Sequence, residues 1–529
     1  MTYLALILDF AKKHKFEFYL LILILLIGAV LRLWRISEYM TFLGDEGRDA
    51  IVIMRFLRHG DPILIGPPTS IGNMLLGPLY YWMIIPSMFF SNLSPVGPVI
   101  MVALIGVATI FLVYRAGKDF FVNPLVGLFS ASLYAVSPVI IFYSRSSWNP
   151  NPMPFFALIS MYSFFKIFIE RKYFWIIIAF ISLAFALQMH YLGLILIPIL
   201  SFFWIISCIR KIRDQRDKEP FWRYSILGIL TFMILMFPLL WFDLRHNFIN
   251  FQAFKAFFLI RETTINLNFL NSLSRVWPNF LDLFVVRFLS GKDTLIGILL
   301  SIGILLTAGV YIGRQIKGRF INWGFFILIT WFLVGIIGIS LYKQHVYDHY
   351  FGFMNPTIFL FTGLFLSLLF SGTAKLPKHL KYLGKISASI IFIALLFLNL
   401  QELPFKDPPN RQLEKTQKIA RFVIEESQGQ PFNFALIAKN NYDAAYQFYL
   451  ELWGHKPTDV SFDQTEQLFV VCEDTVCNPV GHSKTEIARF GYAKIAEIWN
   501  ISGIRFYKLV GNPGGEPQTD IPTEIPITL

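Results

Sequence analysis

Long apolar runs alternate with short polar segments along the chain, a pattern that predicts a polytopic membrane protein. About eleven runs approach the ~20 apolar residues that a helix needs to cross the hydrocarbon core of a bilayer. They cover approximately residues 17–34, 97–115, 123–143, 153–169, 174–189, 192–209, 225–242, 294–313, 321–341, 350–370 and 387–400. The first run lacks a small-residue cleavage site, so we interpret it as an uncleaved transmembrane helix rather than a signal peptide.

The polar segments between the runs predict the orientation. With the N-terminus in the cytosol, every loop predicted to face the cytosol is basic, as in the segment 210–223. Cationic loops stay on the cytosolic side of a membrane. Three long segments then face outward, and they cover approximately residues 35–96, 243–293 and the region from 401 onward.

Two apolar stretches in the outward segments are too short to span a bilayer. Residues 79–85 are flanked by Pro78 and Pro86, and residues 251–261 are rich in Phe with two cationic side chains. Both stretches predict helices that lie at the membrane interface.

The composition changes near Gln401. Residues 412–428 and 443–453 are typical of helices, and residues 434–438 and 468–472 are typical of short buried strands. The sequence therefore predicts three regions: a membrane domain over 1–400, a small extracytosolic α/β domain over 401–510, and a disordered tail over 511–529. Cys472 and Cys477 lie in the second region, where a disulfide and two free thiols are alternatives.

Composition narrows the class of protein further. The chain is 55% hydrophobic and only 15% charged, with a mean hydropathy of +0.56, which excludes a soluble globular protein. The net charge of +12 is typical of nucleic-acid binding as well as of membrane proteins. Because the Lys and Arg residues lie mainly between apolar runs, we attribute the charge to topology and expect no nucleic-acid partner.

Candidate chemistry appears directly after the first span, in the segment Gly44-Asp45-Glu46-Gly47-Arg48-Asp49. A carboxylate that stays ionised beside an Arg can remove the proton from an attacking hydroxyl group. Acidic residues are also common in the first turn of a helix, with Asp45 as the N-cap, and this structural interpretation is the alternative.

An Asp-Glu pair after the first span, followed by a basic residue and a helix, resembles the GT-C glycosyltransferases. The likeness is greatest to the protein O-mannosyltransferases and to the aminoarabinose transferases that modify lipid A. Four further segments resemble these enzymes in the same order along the chain: 77–82, 144–152, 188–191 and 349–351. The resemblance implies a GT-C bundle of about 11 transmembrane helices with interfacial helices, and it suggests a prokaryotic plasma membrane.

The resemblance also implies a mechanism. A sugar on a polyprenyl phosphate would be the donor, and a hydroxyl group on a protein, lipid or glycan would be the acceptor, with inversion at the anomeric carbon. Asp45 would be the general base, with Glu46 as the second catalytic candidate. The candidates for the donor phosphate are Arg48, Arg245, His246, Arg261, His349 and Tyr350. The candidates for substrate binding are Tyr80, Tyr81, Arg145, Trp148, Asn149, Asn151 and His190, with helix anchoring as the alternative for Arg145 and an interfacial structural role for His190.

The sequence departs from these relatives at two places. Gly66 stands where the aminoarabinose transferases have a Lys, and Asn151 stands where they have an acidic residue in the second outward loop. An amide cannot act as a base at neutral pH, so the departure weakens any scheme with two carboxylates or a metal. We predict no cofactor; a divalent metal held by His345, Asp348 and His349 is the alternative.

The main rival function is a transporter or flippase of lipid-linked glycans. Transporters carry charged residues or broken helices at mid-membrane, whereas the apolar runs here are nearly free of charge. A polymerase or ligase of lipid-linked glycans would differ mainly in its acceptor. A scaffold protein would leave the acidic cluster around Asp45 without a role.

Overall fold

The computed structural model describes residues 9, 11–69, 74–214, 218–256, 272–318, 321–372, 377–474 and 476–514. The helices of the membrane part are α1 (Lys15–Leu33), α2 (Ile36–Tyr39), α3 (Gly44–His59), α4 (Leu79–Phe90), α5 (Val96–Phe121), α6 (Pro124–Val136), α7 (Pro138–Tyr143), α8 (Met153–Glu170), α9 (Trp175–Met189), α10 (Leu196–Arg213), α11 (Phe221–Arg245), α12 (Ile249–Lys255), α13 (Val276–Pro278), α14 (Thr294–Gly318), α15 (Trp323–Ser340), α16 (Pro356–Ser371) and α17 (Lys378–Gln401). Short 3-10 segments cover Tyr191–Ile195, Asp348–Phe353 and Pro404–Lys406, and a π-helix covers Asn279–Val286.

Eight helices in the described part of the chain are long and apolar enough to cross a membrane. They are α1, α5, α8, α10 together with the preceding 3-10 turn, α11, α14, α15 and α17. The shorter apolar helices α6, α9 and α16 coincide with three further predicted spans. The polytopic helical class is therefore confirmed, whereas the count of about eleven spans stays a prediction.

Two buried arginines fix the position of α1 in the bundle. The Arg32 guanidinium donates to the carbonyl oxygens of Tyr134 and Ala135 at the end of α6, at 3.3 and 3.0 Å. Arg145 donates to four carbonyl oxygens at and beyond the end of α1, those of Leu31, Arg32, Trp34 and Arg35. Carbonyl groups at a helix end have no intrahelical partner, so these contacts satisfy them and hold the start of the first outward loop.

The helix α3 follows in this loop. It begins at Gly44 and ends where Gly60 adopts the left-handed conformation, with φ of 76°. Its buried positions include Ala50, Ile53 and Met54 on one face, as expected for an amphipathic helix that packs on a protein surface.

The two predicted interfacial helices differ in extent from the sequence patterns. Helix α4 does not stop before Pro86 but continues to Phe90, because a proline inside a helix removes only one donor and neighbouring groups can compensate. The second stretch forms α12, which ends at Lys255, and its remainder from residue 257 lies outside the described residues.

The C-terminal region forms a small α/β unit. Its elements are α18 (Gln412–Ser427), β1 (Asn433–Ile437), α19 (Ala444–Leu452), β2 (Gln467–Cys472), α20 (Thr485–Phe490), β3 (Ala493–Ile501) and β4 (Ile504–Gly511). The sheet order is β1-β2-β4-β3, with β1 parallel to β2 and the other pairs antiparallel. A disulfide joins Cys472 to Cys477. The predicted α/β class is confirmed, and the domain boundaries stay predictions.

This unit docks closely on α3. Arg55 forms two hydrogen bonds of 2.7 Å with the carboxylate of Glu451 at the end of α19. A Cβ atom added to Gly47 would lie only 2.3 Å from the backbone nitrogen of Ala445, so the two helices touch backbone to backbone at this glycine. The C-terminal unit therefore lies on the same side of the bundle as the segment that carries Asp45.

Candidate active site

Asp45 lies in the first turn of α3, where its side chain is partly exposed, at 39%. Its Oδ1 atom accepts hydrogen bonds from Nη1 of Arg48 at 2.7 Å and from the hydroxyl of Tyr442 at 2.9 Å. The first contact follows from helical spacing, since residues i and i+3 lie on one face. The second comes from the C-terminal unit, so two separate parts of the chain hold this carboxylate.

Glu46 points into the protein instead. Its two oxygens accept hydrogen bonds from the backbone N–H of Leu43 at 3.0 Å and from the hydroxyl of Ser146 at 2.7 Å. Burial raises the pKa of Glu46, against the lowering effect of these hydrogen bonds. The contact with Leu43 caps the N-terminus of α3, and the contact with Ser146 ties the first outward loop to the second.

Asp49 anchors the Arg48 guanidinium. One carboxylate oxygen of this buried Asp accepts from Nε and Nη2 of Arg48, at 2.9 and 2.7 Å, and from the hydroxyl of Tyr81 at 2.9 Å. Burial raises the pKa of Asp49 to about 6, although the charge of Arg48 opposes the shift. Nη1 of Arg48 remains directed to Asp45 and, at 3.2 Å, to the oxygen of Tyr442.

Two cavities meet at Asp45. The first, which we call the arginine cavity, has a volume of about 330 Å³, and its lining includes Asp45, Arg48, Trp148, Asn149, His190 and His349. The second, which we call the aromatic cavity, has a volume of about 460 Å³, and its lining includes Asp45, Phe142, Tyr143, Trp148, Tyr347 and Asn440. Tyr350 and Tyr442 line both cavities. A carboxylate between two cavities can contact two different molecules at once.

The two histidines of the arginine cavity are uncharged near pH 7. Burial lowers the pKa of His349 to about 4, and burial followed by the proximity of His349 lowers the pKa of His190 well below its ordinary value. Nδ1 of His190 accepts from the backbone N–H of Leu192 at 3.3 Å, which leaves the proton of the neutral ring on Nε2. These rings therefore offer hydrogen bonds rather than positive charge.

The structure brings most of the predicted residues to this region, and the side chains of several of them also hold the outward loops together through hydrogen bonds to backbone carbonyl groups. The Tyr80 hydroxyl donates to the carbonyl oxygen of Ser147. Nδ2 of Asn149 donates to the carbonyl of Met189 at 2.6 Å, and Nδ2 of Asn151 donates to that of Ser146 at 2.9 Å.

Arg145 lies behind the site, against the carbonyl groups at the end of α1. Its Nη1 and Nη2 atoms are both occupied by these carbonyl groups, and the ring centre of Phe405 lies 4.9 Å from the guanidinium carbon. This position favours the helix-anchoring alternative over sugar binding.

Two phosphate candidates of the second long outward segment, Arg245 and His246, do not line either cavity beside Asp45. Arg245 ends α11, where its guanidinium lies 5.7 Å from the ring centre of Trp241. Nδ1 of the exposed His246 lies 2.8 Å from the carbonyl oxygen of Phe242. Arg261 lies outside the described residues.

The alternative metal set is divided in the structure. Asp348 pairs with Arg287 at 2.6 Å, and His349 packs against Trp148 with ring centres 4.5 Å apart. The described part of the chain has no group of three or more His, Cys, Asp or Glu side chains arranged to hold a metal ion.

Sequence reasoning missed Tyr442 and Asn441. Asn441 accepts from the backbone N–H of Gly44 at 2.9 Å, and the Tyr442 ring leaves no room for a Cβ at Gly44. Both residues lie in the C-terminal region, where the sequence analysis identified no candidate motif, nearly 400 residues from Asp45 along the chain. Asp49 was visible in the acidic motif, but only its burial identifies it as the partner that holds Arg48.

Comparisons with known proteins bear on this arrangement. The family model described as dolichyl-phosphate-mannose-protein mannosyltransferase matches residues 22–255. A search of the curated proteins finds no match.

Solved structures resemble the fold over most of the chain. ArnT from Cupriavidus metallidurans bound to undecaprenyl phosphate has a TM-score of 0.59 at 12% identity, with 94% of this chain and 99% of that chain covered. The oligosaccharyltransferase AglB from Archaeoglobus fulgidus, in complex with an inhibitory peptide and a dolichol-phosphate, has a TM-score of 0.51 at 14% identity, with 87% and 70% covered. The arabinofuranosyltransferase AftD from Mycobacteria has a TM-score of 0.50 at 12% identity, with 95% and 40% covered.

The predicted resemblance to the GT-C glycosyltransferases is therefore confirmed, as is the GT-C fold of the membrane part. Together the family match and the similar structures support a multi-pass membrane protein with the GT-C fold.

Proposed function

We propose that the protein transfers a sugar from a polyprenyl-phosphate donor to a hydroxyl group of an acceptor on the extracytosolic face of the membrane, with inversion at the anomeric carbon. The observation that carries the proposal is the pairing of Asp45 and Arg48 in one cavity of about 330 Å³. A base and a phosphate-binding cation are the two groups that this reaction requires at adjacent positions.

Asp45 acts as the general base. The acceptor oxygen forms a bond to the anomeric carbon while Asp45 takes the proton of the hydroxyl group. The bond from the anomeric carbon to the phosphate oxygen breaks on the opposite side, and its electron pair stays with the polyprenyl phosphate. Oδ1 of Asp45 is held by Arg48 and Tyr442, so the carboxylate is oriented before substrate binds.

Arg48 stabilises the charge that develops on the leaving phosphate. Asp49 holds its Nε and Nη2 atoms, so Nη1 is the donor that faces the cavity. A phosphate oxygen at Nη1 would replace the hydroxyl of Tyr442, which at 3.2 Å is the longer of its two contacts. Neutral His190 and His349 supply further hydrogen bonds without repelling Arg48.

A reconstituted transfer assay tests the proposal. The purified protein in liposomes is given a panel of polyprenyl-phosphate sugars with mixed acceptors, and release of polyprenyl phosphate is measured. We expect release by the wild type and a loss of at least roughly a hundredfold in Asp45→Asn, since the amide cannot take the proton. Asp61→Asn, an exposed carboxylate of the same outward segment, is the matched control and is expected to retain activity.

Equal rates for Asp45→Asn and the wild type would exclude Asp45 as the base. Movement of intact lipid-linked sugar across the liposome membrane, without release of lipid phosphate, would favour the flippase alternative instead. Addition of EDTA tests the proposed absence of a metal cofactor, and unchanged release is the expected result.

A further inference from the structure

The aromatic cavity extends from Asp45 away from Arg48, and the proposed donor reaction does not use it. Its walls come from three parts of the chain: the loop that precedes α3, the aromatic residues around Tyr143 and Tyr347, and residues Asn440 to Tyr442 of the C-terminal unit. At about 460 Å³ it lies within the roughly 300–1,000 Å³ of small-ligand pockets.

We infer that this cavity binds the acceptor, and that the acceptor is a neutral carbohydrate whose hydroxyl group reaches Asp45. The inference rests on the proposed function, because it assigns the second substrate of the same reaction. It gives the C-terminal unit a role, since that unit forms one wall of the acceptor site.

The chemistry of the walls supports a sugar. Phe142 and Tyr347 line the cavity, and protein atoms leave 51% of each side chain uncovered. Tyr347 stacks on His349 with ring centres 5.7 Å apart, and Tyr143 lies 6.0 Å from the same histidine, so the rings form a continuous cluster. Flat apolar faces of this kind suit the C–H face of a pyranose ring. The exposed amide of Asn440 lies beside them and can pair with sugar hydroxyl groups.

The charge of the walls argues against an acidic acceptor. The described residues that line the aromatic cavity include the carboxylates of Asp45 and Glu46 but no Lys or Arg. Burial lowers the pKa of His349 to about 4, so this ring adds no positive charge at neutral pH. A lipid phosphate or an acidic glycan would therefore find no counter-charge, whereas a neutral sugar needs none.

The backbone of the C-terminal unit argues against an extended peptide. Peptides often bind by adding a strand to an exposed sheet edge. Here the unit presents residues 440–442 to the cavity, which follow β1 and precede α19, and not the edge of a strand. Asn441 in this segment is already bonded to Gly44 and to Glu473.

The test compares acceptors and variants of the full-length protein in the liposome assay. The acceptors are neutral di- and trisaccharides of hexopyranoses, a Ser/Thr-containing hexapeptide and diacylglycerol. We expect transfer to an oligosaccharide, and we expect Tyr347→Ala and Phe142→Ala each to raise the acceptor KM about tenfold through the loss of a stacking face. The donor KM should stay unchanged. Tyr492→Ala, which removes an exposed Tyr of the C-terminal unit away from the cavity, is the matched control and should behave as wild type.

The outcomes separate this inference from the proposed function. Asp45-dependent release with transfer only to the peptide or only to diacylglycerol would overturn the carbohydrate acceptor and leave the proposed function intact. Unchanged acceptor KM in both aromatic variants would overturn the aromatic cavity as its site. If no donor is cleaved, the proposed function fails, and direct titration of the same oligosaccharides by native mass spectrometry decides the inference. Binding that weakens in Tyr347→Ala supports it, and no binding overturns it.

Discussion

Gly47 offers a direct test of whether the C-terminal unit positions Asp45, the proposed base. A Cβ atom at this residue would lie 2.3 Å from the nitrogen and 2.4 Å from the Cα atom of Ala445. Ordinary Cβ contacts begin at 3.4 Å, so Gly47→Ala forces the two helices apart by about 1 Å. Both atoms belong to the backbone of α19, and no side chain can move aside to absorb the change.

That displacement acts on the site through Tyr442, which lies two residues before the first residue of α19. Its hydroxyl now lies 2.9 Å from Oδ1 of Asp45, and a shift of about 1 Å lengthens the contact beyond hydrogen-bonding range. Misplacement of a catalytic group by about 1 Å costs on the order of a hundredfold in rate. We therefore expect Gly47→Ala to lower kcat/KM by about this factor, and to destabilise the protein by about 1–3 kcal/mol through overpacking.

The assay is release of polyprenyl phosphate together with thermal unfolding in detergent. Gly309→Ala in α14 is the matched control, because an added Cβ there meets nothing within 4 Å. This control should keep wild-type activity. Wild-type kcat/KM in Gly47→Ala, with an unchanged melting temperature, would refute the reasoning. Gel filtration shows whether any loss of activity comes from aggregation.

Three further predictions concern the ion pair and the topology. Arg48→Ala leaves the buried carboxylate of Asp49 unpaired and should cost about 3 kcal/mol of stability. Adding Asp49→Asn to this variant should restore the melting temperature but not the lower donor KM of the wild type. Recovery of both quantities would remove Arg48 from the proposed phosphate site. The pKa of Asp49 in the folded protein is raised to about 6 from 3.8, so the folded state binds this proton more tightly than the unfolded state does. The stability that comes from this protonation is present below about pH 4 and is lost as the pH rises through 6. Asp49→Asn should therefore reduce the fall in melting temperature over this pH interval, and an identical profile would contradict the shift. In a background without Cys208, a cysteine replacing the exposed Phe462 should react with a membrane-impermeant thiol reagent in intact cells, whereas one replacing Tyr382 should react only after lysis. The reverse result would invert the predicted topology.

The spans could be predicted because each depends on local composition. A membrane helix satisfies its own backbone hydrogen bonds, so a run of apolar residues is sufficient to specify it. The helices and the first two strands of the C-terminal unit could be predicted for the same reason, because their patterns of apolar residues are local. Strands β3 and β4 were missed because their burial alternates irregularly along the chain and depends on pairing with β2.

The candidate site was predicted only in part, for a related reason. Asp45 and Arg48 lie three residues apart, and helical spacing alone brings them together. Arg145 carries the same charge as Arg48, and only its position at the end of α1 makes it a helix anchor. No pattern in the sequence distinguishes these two roles.

The sequence by itself determined that the chain spans a membrane and that a carboxylate and an arginine share the start of one helix. Both properties arise between residues that are neighbours along the chain. Only the tertiary structure decided that Tyr442 completes the site, that Asp49 is buried behind Arg48, and that a second cavity opens beside Asp45. Tyr442 and the second cavity need contacts between segments nearly 400 residues apart, and Asp49 needs the contact with Tyr81. The energies of all three depend on burial, which exists only once the packed fold has excluded water.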